Sequence, residues 1–195
     1  MHRPISLPGL SRAAIRLLLG LLAAAGLLAA CDAGVPPATP PITPGTGSAP
    51  REVNIVARDY AYVPTVVDLV PGETVVLHVI NAGLVTHEAI LGDLNAQLAW
   101  EEAERPYADP PPGPTPAVPA PAGFDGTRIV VESGQRLDVT WTVPADAASD
   151  PNGWFVGCHI PGHWAKGMVV PVRLVDGSGT PLASTPPIPG DAAGG

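Results

Sequence analysis

The sequence predicts an all-β protein: a Greek-key β-sandwich or barrel of seven to eight antiparallel strands, with a proline-rich surface insertion. Short runs in which apolar and polar residues alternate recur along the chain, as expected for half-buried strands. Turn-forming residues separate these runs. No window after position 50 has a strong helical period, and residues 94–104 are a candidate short helix. These observations favour two packed sheets over a helical bundle.

The alternating runs predict individual strands. The clearest of them cover residues 53–57, 75–79, 137–141 and 170–174. Turn signals separate the runs at residues 71–72, 81–83, 133–134 and 150–153. Each run therefore has a polar face for solvent and an apolar face for a shared core.

The prolines divide the chain into segments. Of 26 prolines, 18 lie in residues 31–50, 101–126 and 177–195. We interpret residues 31–50 as an extended tether, 101–126 as an insertion loop and 177–195 as a disordered C-terminal tail. The domain then spans residues 51–176, and its core of about 100 residues is too small for a two-domain enzyme.

The N-terminus is typical of an export signal. Three arginines and no acidic residue lie in residues 1–30, and residues 17–30 form an uncharged, mostly apolar run that is too short to span a bilayer. The following Leu28-Ala29-Ala30-Cys31 resembles a bacterial lipobox, which implies a lipoprotein signal peptide over 1–30 and lipidation of Cys31. The alternative is an ordinary secretory signal. We expect an exported protein, anchored by lipid to the outer face of the cytoplasmic membrane on its periplasmic or cell-surface side.

The charge balance is acidic. The net charge of the chain is −8, and residues 31–195 carry 7 basic and 18 acidic groups, or −11. A polyanion would be repelled by such a surface, so nucleic-acid binding is disfavoured.

Residues that bind metals concentrate in the segment GCHIPGHWAKGM, residues 157–168. It places Cys158, His163 and Met168 five residues apart, and His87 lies far upstream. A thiolate, two imidazoles and a thioether form the ligand set of a trigonal copper site with a weak axial methionine. Pro161-Gly162 occupies the central positions of a type II turn, which would bend the chain back toward Cys158. Zinc is the rival metal, but a thioether ligand argues against it.

The alternation of side chains along a strand predicts which of these residues face the interior. Met168 shares the parity of Val170, and His87 that of Ala89, so both are expected to face the interior. His159, next to Cys158, is expected on the opposite face and without a metal role. His78 receives no function, and Trp164 belongs either to the core or to a docking rim.

Over residues 52–176 the chain resembles the cupredoxins, the type 1 blue copper proteins. The resemblance rests on DYAYVPTVVDLVPGETVVLHVINAG, on THEAIL and on the segment 157–168. It implies one type 1 copper ion bound by His87, Cys158, His163 and Met168. Two positions depart from related patterns: Gly157 stands where multicopper oxidases have histidine, and Glu88 where plastocyanins and azurins have asparagine. Five histidines in the whole chain are too few for a trinuclear copper cluster.

The resemblance implies single-electron transfer with a redox protein partner, a cytochrome or another copper protein. A closed ligand set leaves no position for a small-molecule substrate, so we expect no enzyme activity. Two alternatives stay open: copper storage or delivery, and an accessory domain of a copper-dependent reductase or oxidase.

Overall fold

The computed structural model describes residues 40–107 and 118–189. The signal peptide, Cys31 and most of the predicted tether lie outside these residues, as do positions 108–117 of the insertion. Nine strands occur in the described part: β1 (Arg51–Arg58), β2 (Ala61–Val63), β3 (Val67–Leu69), β4 (Thr74–Asn81), β5 (His87–Asp93), β6 (Thr127–Val131), β7 (Arg136–Thr142), β8 (Trp154–Gly157) and β9 (Val169–Leu174). One α-helix, α1 (Leu94–Glu104), and three 3₁₀ turns, Arg105–Tyr107, Ala147–Ser149 and Trp164–Lys166, complete the described elements.

The strands form two sheets, which confirms the predicted β-sandwich. The first sheet has the order β2-β1-β4-β7 and the second the order β3-β9-β8-β5-β6. Two pairings, β1 with β4 and β3 with β9, are parallel, which departs from the expected all-antiparallel arrangement, and the others are antiparallel. The chain crosses from β2 to β3 in the other sheet and back to β4, so β4 runs beside β1 in the same direction. The described strands outnumber the seven to eight predicted, because residues 61–69 form two strands of three residues each around Pro64.

The alternating runs supply the core between the sheets. In β1, Ile55 and Ala57 are completely buried, and in β4 the inward side chains Leu77 and Val79 are as well. Each fully buried valine, leucine or isoleucine side chain contributes about 1.5–3 kcal/mol of transfer free energy. The core thereby fixes the register of the strands that carry the site.

Helix α1 covers the outer face of the second sheet. Asp93 caps its N-terminus, because its Oδ1 accepts a hydrogen bond of 2.7 Å from the Ala96 N–H. The helix coincides with the candidate short helix at residues 94–104. Trp100 packs with Ile90 and with Val118 from the far end of the insertion. The described ends of the insertion therefore pack against this face. No helix within residues 40–107 or 118–189 is long and apolar enough to cross a membrane.

The described parts of both terminal segments lie against the domain. The Gly45 carbonyl accepts from the Thr74 N–H at 3.0 Å, and the Ile42 N–H donates to the Gly177 carbonyl at 3.1 Å. Further along, the Leu182 N–H donates to the carbonyl of Leu174, the last residue of β9, at 2.9 Å. Residues on either side of the predicted domain boundaries thus extend its hydrogen bonding.

Candidate metal centre

The site lies at one end of the second sheet. His87 is the first residue of β5, and Cys158 directly follows β8. These two strands are antiparallel neighbours in which Ile90 is paired with Gly157, so the start of one meets the end of the other. His163 lies in the loop that joins β8 to β9. The topology therefore brings together donors that are about 70 residues apart in sequence.

The loop from Cys158 to Met168 is closed by its own hydrogen bonds. The His163 N–H donates to the Ile160 carbonyl at 2.9 Å, and Gly162 has φ +84°, as predicted for a type II turn. The Cys158 N–H donates to the Met168 carbonyl at 3.1 Å, and the Met168 N–H donates to the His163 carbonyl at 3.2 Å. The backbone thus holds the loop residues in position independently of any metal.

Three donor atoms converge inside this end of the sandwich. The Cys158 Sγ lies 3.2 Å from the His163 Nδ1, which in turn lies 3.3 Å from the His87 Nδ1. All three lie within 4.8 Å of one another. His87 and Cys158 have no exposed surface, and His163 is 8% exposed. Two imidazole nitrogens and one sulfur therefore face a single point that one ion can occupy.

The surroundings of Cys158 and His163 favour the neutral form of each when no cation is bound. Burial, and next the charge of Glu88, raise the pKa of the Cys158 thiol, and the nearby backbone N–H groups of Glu88 and Ile160 oppose that rise. Burial, with His87 and Lys166 nearby, lowers the pKa of His163 to about 4. At neutral pH the imidazole is therefore free to donate its lone pair, and a bound metal ion would replace the thiol proton.

The donor set fits a single type 1 copper ion. Two imidazoles and a thiolate supply the trigonal plane of such a site. Met168 is completely buried at the same end, and it belongs to the core cluster with Val170 and Val172, so its inward parity is as predicted. Its role as the axial ligand remains a prediction.

Two residues beside the cluster were not found by sequence reasoning. Asp59 and Tyr60 form the turn between β1 and β2, and the Asp59 Oδ1 lies 3.1 Å from the His87 Nε2. The Tyr60 ring stands edge-on to the His163 ring at 5.0 Å between centroids, and the Lys166 Nζ lies 3.6 Å from the Tyr60 ring centroid. The one available signal was their place directly after the first alternating run.

Asp59 is an ionised partner for His87. Its carboxylate accepts from the Leu84 N–H at 2.8 Å, and that bond followed by the bond with His87 lowers its pKa. The side chain is 35% exposed, whereas that of His87 is fully buried. The contact therefore runs from the protein surface to the inner donor group.

Glu88 and His159 face away from the donor cluster. The Glu88 carboxylate accepts from the Arg128 Nε at 2.7 Å and from the His159 backbone N–H at 2.9 Å. The His159 ring bonds Gln97 Oε1 and Glu101 Oε2 of α1, each at 2.8 Å. His159 thus lies on the face opposite Cys158, as strand alternation predicts. The departure from asparagine at position 88 therefore places a carboxylate on the outer face, away from the donor cluster.

Position 157 has no room for a side chain. A Cβ there would lie 2.4 Å from the Gln97 Oε1 and 2.7 Å from the Trp164 ring. Trp164 is half-buried and stacks on the His159 ring at 4.7 Å, so it belongs to the contact with α1.

His78, for which the sequence predicts no function, is buried on β4. Its Nδ1 lies 2.7 Å from the Asp138 Oδ1.

No protein-family model matches the chain, and no curated protein matches its sequence. Its fold is similar to that of a dithionite-reduced auracyanin from the photosynthetic bacterium Roseiflexus castenholzii, with a TM-score of 0.50, 19% identity, and coverage of 64% of this chain and 97% of that one. Auracyanin A, a "blue" copper protein from the green thermophilic photosynthetic bacterium Chloroflexus aurantiacus, aligns with a TM-score of 0.48, 22% identity and coverage of 65% and 100%. An azurin from Methylomonas sp. strain J aligns with a TM-score of 0.46, 15% identity and coverage of 66% and 100%. The similarity to the first of these shows that the chain has the cupredoxin fold.

Proposed function

We propose that this protein is a membrane-tethered blue copper protein that transfers single electrons between redox proteins. The observation that carries the proposal is the buried convergence of the His87, Cys158 and His163 donor atoms. The chemistry that copper supplies at such a site is a one-electron couple between Cu(II) and Cu(I). The residues of the chain then have to bind the ion, exclude water and expose a short route to a partner.

Each donor has a separate task in this proposal. His87 and His163 supply the imidazole nitrogens and Cys158 the strong thiolate, while Met168 acts as the weak axial ligand that tunes the potential. The closed loop and the β-sheet hold the donors in place, so the chain needs little rearrangement when the charge of the ion changes. We expect Met168→Gln to retain copper and lower the reduction potential, because an oxygen donor favours Cu(II) over Cu(I).

Burial of the donors favours electron transfer over the alternatives. His87 and Cys158 are 0% exposed, so water and small substrates have no access to them. Storage or delivery of copper requires donors that a partner can reach, and a reductase or oxidase needs an open coordination position. The buried donor set argues against both.

His163 is the donor nearest to solvent, and its surroundings suit a redox partner. It is 8% exposed, and Leu84 and Val85 at the same end are 85% and 40% exposed. Apolar side chains cost little to desolvate, which fits the small interfaces of transient redox complexes. A cytochrome or another copper protein would therefore dock here and exchange the electron through the His163 ring.

The membrane tether is the part of the proposal that rests on sequence alone. A lipid on Cys31 and the proline-rich residues 31–50 would hold the domain on the outer face of the cytoplasmic membrane. We expect Cys31→Ala to move the protein from the membrane fraction to the soluble extracytoplasmic fraction, or to block its maturation. Membrane attachment of a correctly cleaved variant would contradict the anchor.

Titration of the metal-free protein with Cu(II) tests the electron-transfer proposal. We expect one copper per chain by elemental analysis and an intense thiolate-to-copper absorption band in the visible region. The copper should also resist removal by a chelator and should be reduced and reoxidised reversibly. A colourless complex, rapid loss of copper to the chelator or a second bound metal would contradict the proposal.

A further inference from the structure

Asp59 is placed where it can set the orientation of His87. The His87 Nδ1 faces the donor cluster, 3.3 Å from the His163 Nδ1, and its Nε2 faces the Asp59 Oδ1 at 3.1 Å. A neutral imidazole with a free lone pair at Nδ1 carries its proton at Nε2. A carboxylate at Nε2 stabilises that tautomer and fixes the ring in the orientation that metal binding requires.

The carboxylate is itself held from two sides. The Leu84 and Val85 N–H groups donate to the same Asp59 Oδ1, at 2.8 and 3.4 Å. The Asn81 side chain donates to the Val85 carbonyl at 2.8 Å and ties this loop to the end of β4. Tyr60 has φ +67°, an uncommon conformation for a bulky residue, and its ring stands edge-on to that of His87 at 6.3 Å. The turn at residues 59–60 and the loop at residues 83–85 together hold the Asp59 Oδ1 against the His87 Nε2.

Gly83 makes this contact possible. A Cβ at that position would lie 2.3 Å from the Asp59 Oδ1 and 2.9 Å from the His87 Nε2. The Gly83 backbone is anchored, because its N–H donates to the Asn81 Oδ1 at 2.8 Å and its carbonyl accepts from the Ser133 hydroxyl at 2.7 Å. A side chain at position 83 would therefore have to push the carboxylate away from the imidazole.

We propose that Asp59 is a positioning residue for His87, that it lowers the reduction potential of the site, and that Gly83 is required for its contact. The carboxylate charge stabilises the more positive Cu(II) state over Cu(I), and it acts through the fully buried His87 ring. The effect on potential rests on the proposed copper function. The effect on the His87 ring concerns the chain alone.

The potential is tested with Asp59→Asn. The amide oxygen can accept the same three N–H groups, so the variant removes the charge and keeps the geometry. We expect the ratio of Cu(I) to Cu(II) at a fixed applied potential to rise about tenfold, equal to about 59 mV for a one-electron couple. The control is Asp146→Asn, which removes the same charge from an exposed side chain beyond β7, at the opposite end of the sandwich. We expect it to change the ratio by about twofold or less because of screening. Equal shifts in the two variants would overturn the proposal.

The role of Gly83 is tested by copper affinity. We expect Gly83→Ala to weaken copper binding about tenfold or more, as is typical when the partner of a metal-binding histidine is lost. Gly47→Ala is the control, because a Cβ at position 47 has no atom within 4 Å. Unchanged affinity in a folded Gly83→Ala variant would show that the contact does not position His87.

Nitrogen-15 NMR of the metal-free chain separates this inference from the copper function. We expect the wild-type His87 ring to carry its proton at Nε2, and Asp59→Ala to populate the Nδ1–H form as well. A proton at Nδ1 of His87 in the wild type would refute the positioning role. If the wild type binds no copper, the proposed function fails, and the NMR result still decides whether Asp59 positions His87.

Discussion

The two faces of one short stretch of sheet hold buried polar groups of different kinds. On the inner face His87 and Cys158 point to a shared centre, and on the outer face their chain neighbours Glu88 and His159 point to α1. All four residues are at most 1% exposed. Neighbouring residues of the same strand therefore belong to two different clusters. The inner cluster is suited to bind a cation, and the outer cluster already has its charges paired.

The difference lies in how the groups are partnered. On the outer face Arg128 donates to Glu88 at 2.7 Å and to Glu104 at 2.9 Å, so its cation is shared by two buried carboxylates. On the inner face, among the described residues, no carboxylate or guanidinium is paired with Cys158 or His163. Asp59 contacts His87 at Nε2, which leaves the Nδ1 facing the donor cluster. Buried polar groups that lack a counter-charge but have converging lone pairs indicate a site for an external cation, whereas paired ones indicate a structural contact.

Removal of the thiol should have the largest effect on the inner group. We expect Cys158→Ser to abolish the visible absorption band and to weaken copper binding about 100-fold or more, because a hydroxyl does not replace a thiolate donor. The metal-free variant should keep its fold, since the side chain is small and no other buried group depends on it for charge. Absorption and circular dichroism spectra measure the two effects. A variant that stays blue would exclude Cys158 as the ligand.

Removal of the Arg128 guanidinium from the outer face should instead destabilise the fold. We expect Arg128→Met to lower the free energy of unfolding of the metal-free chain by about 3–5 kcal/mol, because Glu88 and Glu104 lose their shared partner. Arg105→Met is the matched control, since Arg105 pairs with Glu102 at the surface and exposed pairs contribute about 0–1 kcal/mol. Urea unfolding measures both. Equal losses in the two variants would show that the outer group is not a structural contact.

The outer group should also give the stability a pH dependence. Burial, and next the charge of Glu88, raise the pKa of Glu104 from 4.5 to about 7. Between these values the folded chain binds more protons than the unfolded chain, so stability is lost as the pH rises through that range. We expect Glu104→Gln to remove a loss on the order of 2 kcal/mol between pH 4.5 and 7. Urea unfolding between pH 4.5 and 7 measures this pH dependence. Glu132→Gln, at an exposed position, is the control and should keep the wild-type profile. An unchanged pH profile in the Glu104 variant would exclude this carboxyl as the source.

A charge at the surface of the inner group should have the smallest effect. We expect Pro161→Glu to slow electron self-exchange about tenfold, or about 1.4 kcal/mol, because two carboxylates would meet when two copies approach through the His163 edge. The absorption spectrum should hardly change. Ala145→Glu adds the same charge at the opposite end of the sandwich and should leave the rate near that of the wild type. A wild-type self-exchange rate in Pro161→Glu would show that electrons do not pass through the His163 edge.

Sequence alternation could predict much of the scaffold. The apolar parity of β1 and β7 matches the alternation of their burial, whereas β9 is buried on both faces. The loop spacing brings Cys158 and His163 together by local turn chemistry. The parallel pairing of β1 with β4 could not be predicted, because it depends on a crossover between sheets rather than on either strand. The two short strands on either side of Pro64 carry too few residues to show a period.

The surroundings of the donors were less accessible to sequence reasoning. Asp59 meets His87 because β1 and β5 belong to facing sheets, and no local pattern encodes that meeting. Likewise Arg128 serves Glu88 through the β5–β6 pairing and Glu104 through the docking of α1. Such partners follow from tertiary packing, whereas the donors themselves follow from residue type and spacing.

The donors are mounted on parts of the chain that should move at different rates. His87 is the first residue of β5 and is paired with Val131 of β6, so its displacement requires that end of the ladder to open. Residues 158–168 form a loop at the end of two strands, and loops of this kind open locally at lower free energy than the sheets that carry them. Metal would therefore enter and leave from the loop side, with His87 as the stationary donor. Loop opening, rather than ligand affinity, would then limit the rate of copper exchange. Hydrogen exchange should accordingly be faster at the His163 and Met168 amides than at the amides of β5.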